Sequence, residues 1–212
     1  EQLVAEGLIV RVAGRGTFPT ALSRGAAANA EMVQPQPTRL AGLMENIVSA
    51  SRATTIKVLD WRVVAANSQV AEVLQLPVGT AVRRAVRRRS SREGPLSYIV
   101  TYMPEALLAG KTRKDLTDKP MLQLLEESGI ELGRAQQTIS ARQADAVVAK
   151  ELGVAIATAL LSVRRLVFDA QDRPVQWLEG LYRPDRYEYH MEVSSVGRVD
   201  ARIAVKEQED RN

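Results

Sequence analysis

One stretch of this chain is written twice, and that constrains the fold more than any other feature. After Asn67, a short helical segment, Gln69-Val70-Ala71-Glu72-Val73-Leu74, leads into a turn, Pro77-Val78-Gly79-Thr80. A β-rich run over 81–90, a turn at Arg92-Glu93-Gly94-Pro95 and a second run over 96–103 follow. Some 78 to 80 residues later the order recurs: helix 144–152, turn 154–158, strand 159–168, turn 169–174 and strand 175–182. Leu74 then matches Leu152, Thr80 matches Thr158, Arg87 matches Arg165, Pro95 matches Pro174 and Tyr102 matches Tyr182. Chance likeness between two hairpins is the competing explanation, but five elements in the same order favour duplication. Between the copies lie a helix over 121–128, capped by Gly129, and a strand over 134–141. Ahead of them, 55–64 alternates as a strand. Leu40, Leu43, Met44, Ile47 and Val48 recur with the spacing of an amphipathic helix. Strands outnumber helices and short turns join them. The expectation is an α+β domain, a mostly antiparallel sheet with helices packed on it.

Composition removes several chemistries. With no cysteine among 212 residues, disulfides, thiolate metal sites and cysteine nucleophiles are excluded. No metal and no cofactor is expected, because no ligand spacing suits one. The single histidine, His190, reads as structural, and nothing pairs the carboxylates for acid–base work. No apolar run is long enough to span a bilayer, and no secretory signal stands at the N-terminus, so a cytoplasmic protein is expected. A net charge of +4 favours an anionic partner, though only modestly.

The unusual run is Arg83-Arg84-Ala85-Val86-Arg87-Arg88-Arg89. In a strand, Arg83, Arg87 and Arg89 share one face and Arg84 and Arg88 the other. Two readings stand: a solvated edge strand whose charges block aggregation, or an inner strand whose arginines hold an anion. Six of the nine aromatic residues, Tyr98, Tyr102, Trp177, Tyr182, Tyr187 and Tyr189, fall in the two closing strands or just after. Tyr98 and Trp177 read as core. The Tyr182 hydroxyl needs a partner if buried, which makes that residue the better pocket candidate.

At the N-terminus, Glu1-Gln2-Leu3-Val4-Ala5-Glu6-Gly7 reads as a helix end with a glycine cap, followed by a hairpin around Ala13-Gly14-Arg15-Gly16. Residues 20–37, with Gln34-Pro35-Gln36-Pro37, read as a linker. Leu3-Val4-Ala5-Glu6-Gly7-Leu8-Ile9 and Gly14-Arg15-Gly16-Thr17-Phe18 resemble the end of the winged helix-turn-helix of GntR-type bacterial transcription regulators. Pro19 departs from the valine usual there. Residues 36–193 look like the UTRA effector-binding domain of the HutC-type branch. The markers are Leu76-Pro77-Val78-Gly79-Thr80, Arg84 with Arg87 and Arg89, Tyr102-Met103-Pro104, Leu124-Leu125-Glu126, and the stretch from Arg173-Pro174-Val175 to Tyr182-Arg183-Pro184-Asp185.

The resemblance implies a chorismate-lyase-like antiparallel sheet flanked by helices, with an internal pseudo-repeat. A remnant of the winged domain (1–19) and the linker (20–37) would precede the effector domain (38–196), and a partly stranded tail (197–212) would follow it. It implies a homodimeric repressor that is no enzyme and whose partners are operator DNA and a small anionic metabolite effector. In the wing, Arg11, Gly14, Arg15, Gly16 and Thr17 would meet DNA. Arg87, Arg89, Gln176, Tyr182 and Glu179 are the candidate effector residues. Arg87 and Arg89 match arginines that hold an anionic group in sugar-phosphate-binding relatives, and Gln176 stands where glutamate is more usual. Other matching positions depart: Lys119-Pro120-Met121-Leu122 replaces a Ser-x-Tyr, Leu43-Met44-Glu45 replaces a polar segment, and Ile99 falls where a glutamate faces the sugar. A small carboxylate with an apolar part is therefore expected in place of an amino-sugar phosphate. The alternative is a chorismate-lyase-like enzyme on the same fold, for which the wing and linker would have no use.

Overall fold

The computed structural model describes the backbone of residues 9–12, 16–19, 54–193 and 199–205, with side chains over 54–189. The chain divides into two units, Glu1–Gln36 and Pro37–Asn212. In the first, β1 (Ile9–Val12) and β2 (Gly16–Pro19) form an antiparallel hairpin in which Val12 faces Gly16 and Ile9 faces Pro19. The N-terminal helix end, Gly14 and Arg15 at the tip, the linker and the helix expected around Leu40–Val48 lie outside the described residues.

The second unit runs β3 (Thr55–Ala65), α1 (Ser68–Leu74), β4 (Ala81–Ser91), β5 (Gly94–Pro104), a 3-10 turn (Glu105–Leu108), α2 (Asp115–Asp118) and α3 (Met121–Glu127). It continues with β6 (Leu132–Gln143), α4 (Ala146–Leu152), β7 (Ala159–Asp169), β8 (Pro174–Tyr182), β9 (Tyr187–Val193) and β10 (Val199–Val205). Six strands form one antiparallel sheet in the order β3-β4-β5-β8-β7-β6, and β9 and β10 form a separate ladder. The arginine strand β4 is therefore internal, between β3 and β5, which removes the edge-strand reading of its charges.

The two halves of the sheet are closed by the same local devices. Asn67 caps α1 by accepting the Val70 N–H at 2.9 Å, and Asp145 caps α4 by accepting the Val148 N–H at 2.9 Å. Each helix ends on a left-handed residue, Gln75 at φ 54° and Gly153 at φ 65°. In the following turns the Gly79 N–H donates to Ala66 and the Ala157 N–H to Ala144, both at 2.8 Å. Each hairpin also carries a bulge, at Arg89/Ser90 and at Val167/Phe168. One sequence match changes. The ladders pair Arg87 with Ile99 and Arg165 with Leu178, which makes Met103, not Tyr102, the positional mate of Tyr182. Side-chain identity suggested a one-residue-longer step than the hydrogen bonds impose, and a one-residue slip changes the face.

Seven-residue helices do not hold in isolation; their buried faces hold them here. Val70, Ala71 and Leu74 of α1 pack with Val82 and Trp177, and Val148, Ala149 and Leu152 of α4 pack with Leu160 and Leu181. Each fully buried aliphatic side chain is worth about 1.5–3 kcal/mol. Trp177 stacks on Tyr102 at 5.5 Å between ring centroids and is a core residue, and Tyr98, half-buried, packs against the α4 cluster. The opposite face is covered at one end by Leu108, Leu116, Met121, Leu124 and Leu125, which close on Val58, Ala85, Met103 and Val167.

Candidate functional site

Strand alternation sorts the β4 arginines, and their neighbours then separate them. On the helix face, Arg84 donates to Asp60 and Arg88 lies 3.4 Å from Glu151. On the opposite face, Arg83 makes a two-pronged ion pair with Glu105, with Nε–Oε2 at 2.7 Å, and lies over the Trp61 ring at 4.6 Å. Arg87 and Arg89 share that face and reach no carboxylate among the described residues. Arg87 is 4% exposed, and its buried Nε and Nη1 find no hydrogen-bond acceptor among the described residues. Arg89 donates from Nη1 to the Thr54 hydroxyl at 2.9 Å. Thr54 lines an open pocket of about 320 Å³ together with Thr55, Ile56 and Thr117–Pro120.

Register carries this face across the sheet. Arg89 lies beside Ser97, which pairs with Tyr182. Arg87 lies beside Ile99, which pairs with Gly180, which pairs with Val163. Ala85 lies beside Thr101, and the row continues through Leu178 and Arg165 to Gln137. The buried hydroxyls of Ser97 and Thr101 likewise make no hydrogen bond among the described residues. Buried polar groups are nearly always satisfied. The two hydroxyls and the Arg87 guanidinium gather on the sheet face that α1 and α4 leave uncovered.

Arg165 is a third guanidinium of this kind. It is 6% exposed, and its Nε and Nη2 donate to one neutral acceptor, Gln137 Oε1, at 2.9 and 2.5 Å. Desolvation holds the Arg87 guanidinium down to about 10, with Arg89 pushing the same way and Tyr182 opposing. Desolvation also lowers Arg89 and Arg165, again opposed by Tyr182, and for Arg165 by Tyr187 and Tyr189 as well. Tyr182 is thus electrostatically close to all three. Its ring packs on that of Tyr187 at 4.2 Å. It also folds back over Gly180, where a Cβ would come within 2.6 Å of the Tyr182 ring. Burial pushes the Tyr187 phenol far above its ordinary range, with Tyr182 adding to the shift.

Of the sequence candidates, Arg87, Arg89, Gln176 and Tyr182 come to one face. Gln176 is fully buried beside Met103, its amide 3.9 Å from the Met103 sulfur. Glu179 does not join them. It pairs with Val100 and Arg164 and follows the parity of Trp177 and Leu181, which places it on the helix face. The reason is strand alternation: 176, 178, 180 and 182 point one way and 179 the other. Arg165, Ser97 and Thr101 were absent from the sequence candidates. The match of Arg165 to Arg87 was the available signal for the first, and alternation along β5 for the other two. Arg11, Gly16 and Thr17 lie on the β1/β2 hairpin, whose side chains are outside the described residues. Among the described residues no cluster of three potential metal ligands occurs, and no helix is long and apolar enough to cross a membrane.

Comparison with known proteins places the chain in a family. The UTRA domain model matches residues 49–188. The chain is 22% identical over 188 residues to the HTH-type transcriptional repressor NagR of Bacillus subtilis (strain 168), covering 88% of this chain and 73% of that protein. It is 25% identical over 195 residues to the HTH-type transcriptional regulator Rv0792c of Mycobacterium tuberculosis, covering 88% of this chain and 66% of that one. The crystal structure of a GntR-family transcriptional regulator from Enterococcus faecalis V583 superposes with a TM-score of 0.61 at 26% identity, over 66% of this chain and all of the other. These relatives are transcriptional regulators rather than enzymes. The chain belongs to the UTRA domain family, and its α+β domain is the ligand-binding fold of GntR-like regulators.

Proposed function

We propose that this protein is a ligand-responsive DNA-binding repressor of the HutC-type branch, a homodimer in the cytoplasm. Its effector domain, 38–196, binds a small anionic metabolite. Residues 1–19 are the end of a winged helix-turn-helix in which Arg11, Gly14, Arg15, Gly16 and Thr17 meet operator DNA. Residues 20–37 link the two, and 197–212 form a tail. The capping, turn and bulge geometry that recurs in both halves supports an internal pseudo-repeat of the chorismate-lyase-like kind.

One observation carries the effector reading: Arg87, buried, and Arg89, half-buried, stand on an inner strand and have no carboxylate among the described residues, while Arg83, Arg84 and Arg88 of the same strand each have one. An anion would give these guanidiniums the partner that burial demands. Ser97 and Tyr182 lie in the row beside Arg89, and Gln176 lies at the apolar end. Ile99 and Leu178 offer apolar surface, which suits a carboxylate with an apolar body over a phosphosugar. To regulate, the ligand must couple to DNA through two conformations, typically by about 1–3 kcal/mol.

Thermal shift of the protein, refolded from denaturant, against a panel of carboxylates and hexosamine phosphates tests this reading. Carboxylates should raise Tm in wild type and not in Arg87→Gln. A response to hexosamine phosphates alone would sink it. For the wing, Arg15→Ala in the intact regulator should weaken operator binding, measured by fluorescence anisotropy.

A further inference from the structure

We infer that the effector carries two anionic groups, a dicarboxylate with an apolar spacer, and that Arg165 holds the second carboxylate. This rests on the anion-binding reading above. Arg87 and Arg89 stand on β4 and Arg165 on β7, with β5 and β8 between them. Three strand spacings of about 4.8 Å separate their backbones. The floor between carries Ile99 on β5 with Leu178 and Gly180 on β8, flanked by the Ser97 and Thr101 hydroxyls of β5. The face is therefore cationic at both sides and, apart from the two hydroxyls of β5, apolar in the middle, with Tyr182 electrostatically close to all three guanidiniums.

A ligand with one anionic group would satisfy the Arg87–Arg89 side and leave Arg165 buried with a single neutral acceptor. Gln137 accepts from Nε and Nη2, and no carboxylate among the described residues pairs with the Arg165 guanidinium. The Thr101 hydroxyl, buried and without a partner two strands from Arg165 in the same row, is a further donor facing the same space. Arginine suits this role because its fork matches a carboxylate.

The test is calorimetric titration of the full chain, refolded from denaturant, with two series. One is the α,ω-dicarboxylates from succinate to suberate, the other the monocarboxylates of the same chain lengths. At least one dicarboxylate should bind about tenfold or more tightly than its monocarboxylate, the gain of one charge-assisted contact. Arg165→Gln should erase that preference while leaving monocarboxylate binding nearly unchanged, and Arg87→Gln should weaken both series. If Arg165→Gln does not fold, Arg165→Lys reads the same difference, with the preference reduced. Equal binding of both series at every length, or a preference that survives Arg165→Gln, overturns the inference and leaves the anion site standing. If neither series binds, the parent reading falls with it.

Discussion

Replacing Arg87 by methionine should make the protein more stable while removing its ligand response. The guanidinium is buried, two of its nitrogens lack acceptors, and desolvation holds it down to about 10. At about 1.4 kcal/mol for each tenfold in the protonation constant, that corresponds to roughly 3 kcal/mol of folding free energy spent on keeping the charge inside. Methionine removes the charge, keeps much of the volume, and leaves no carboxylate stranded, because none pairs with Arg87 among the described residues. Replacement of buried charges by apolar side chains of similar size typically gains about 1–4 kcal/mol. At about 2–4 °C per kcal/mol for a chain of this size, Tm should rise by about 2 to 16 °C. The pH dependence has a definite sign. A cation whose folded pKa lies below its unfolded one lowers stability at every pH below the folded value, and the penalty is relieved as pH rises beyond it. The stability difference between Arg87→Met and wild type should therefore be flat through neutral pH and shrink above about pH 10. Calorimetric or circular-dichroism melts of both proteins, each refolded from denaturant to remove bound ligand, measure this. A loss of more than about 1 kcal/mol in Arg87→Met would refute the argument, because it would mean the guanidinium has a native partner.

Three further outcomes follow from the geometry. Gly180→Ala puts a Cβ against the Tyr182 ring, so carboxylate affinity should fall by titration while the unfolding free energy drops by an overpacking cost of about 1–3 kcal/mol. Asn67→Ala and Asp145→Ala each remove a cap from equivalent helices, and each should cost about 1 kcal/mol in urea unfolding. Asp169 accepts the Gln171 and Arg173 N–H groups and the Arg173 Nε at 2.8–3.0 Å, and the Arg173 contacts lead in holding its carboxyl below the ordinary range against desolvation. That stability is present above about pH 4 and lost as pH falls through the folded value, so Asp169→Asn should flatten the acid limb of the stability–pH curve.

Much of the fold was legible because its signals are local. The short helices after Asn67 and at 144–152, the turns at 77–80 and 154–158, and the alternation of β4, β5, β7 and β8 carry signals within a few residues of the elements they define. Duplication made the pattern readable a second time. The site was legible in part: Arg87, Arg89, Gln176 and Tyr182 come to one face of the sheet. Glu179 failed on parity, since one residue's step along a strand changes its face. Tyr102 and Tyr182 failed as mates because identity aligned what the ladder register does not.

The sequence by itself determined the strands, the short helices, the turns that join them, and an arginine-rich strand too charged for a plain apolar core. Only the tertiary structure decided which of those arginines are neutralised. The carboxylates concerned, Asp60, Glu105 and Glu151, lie on other elements and 22 to 63 residues away in sequence. Strand order placed β4 inside the sheet and put Arg165 three strands from Arg87 on the same face. Whether a buried charge has a partner depends on distances through space, which chain spacing does not encode.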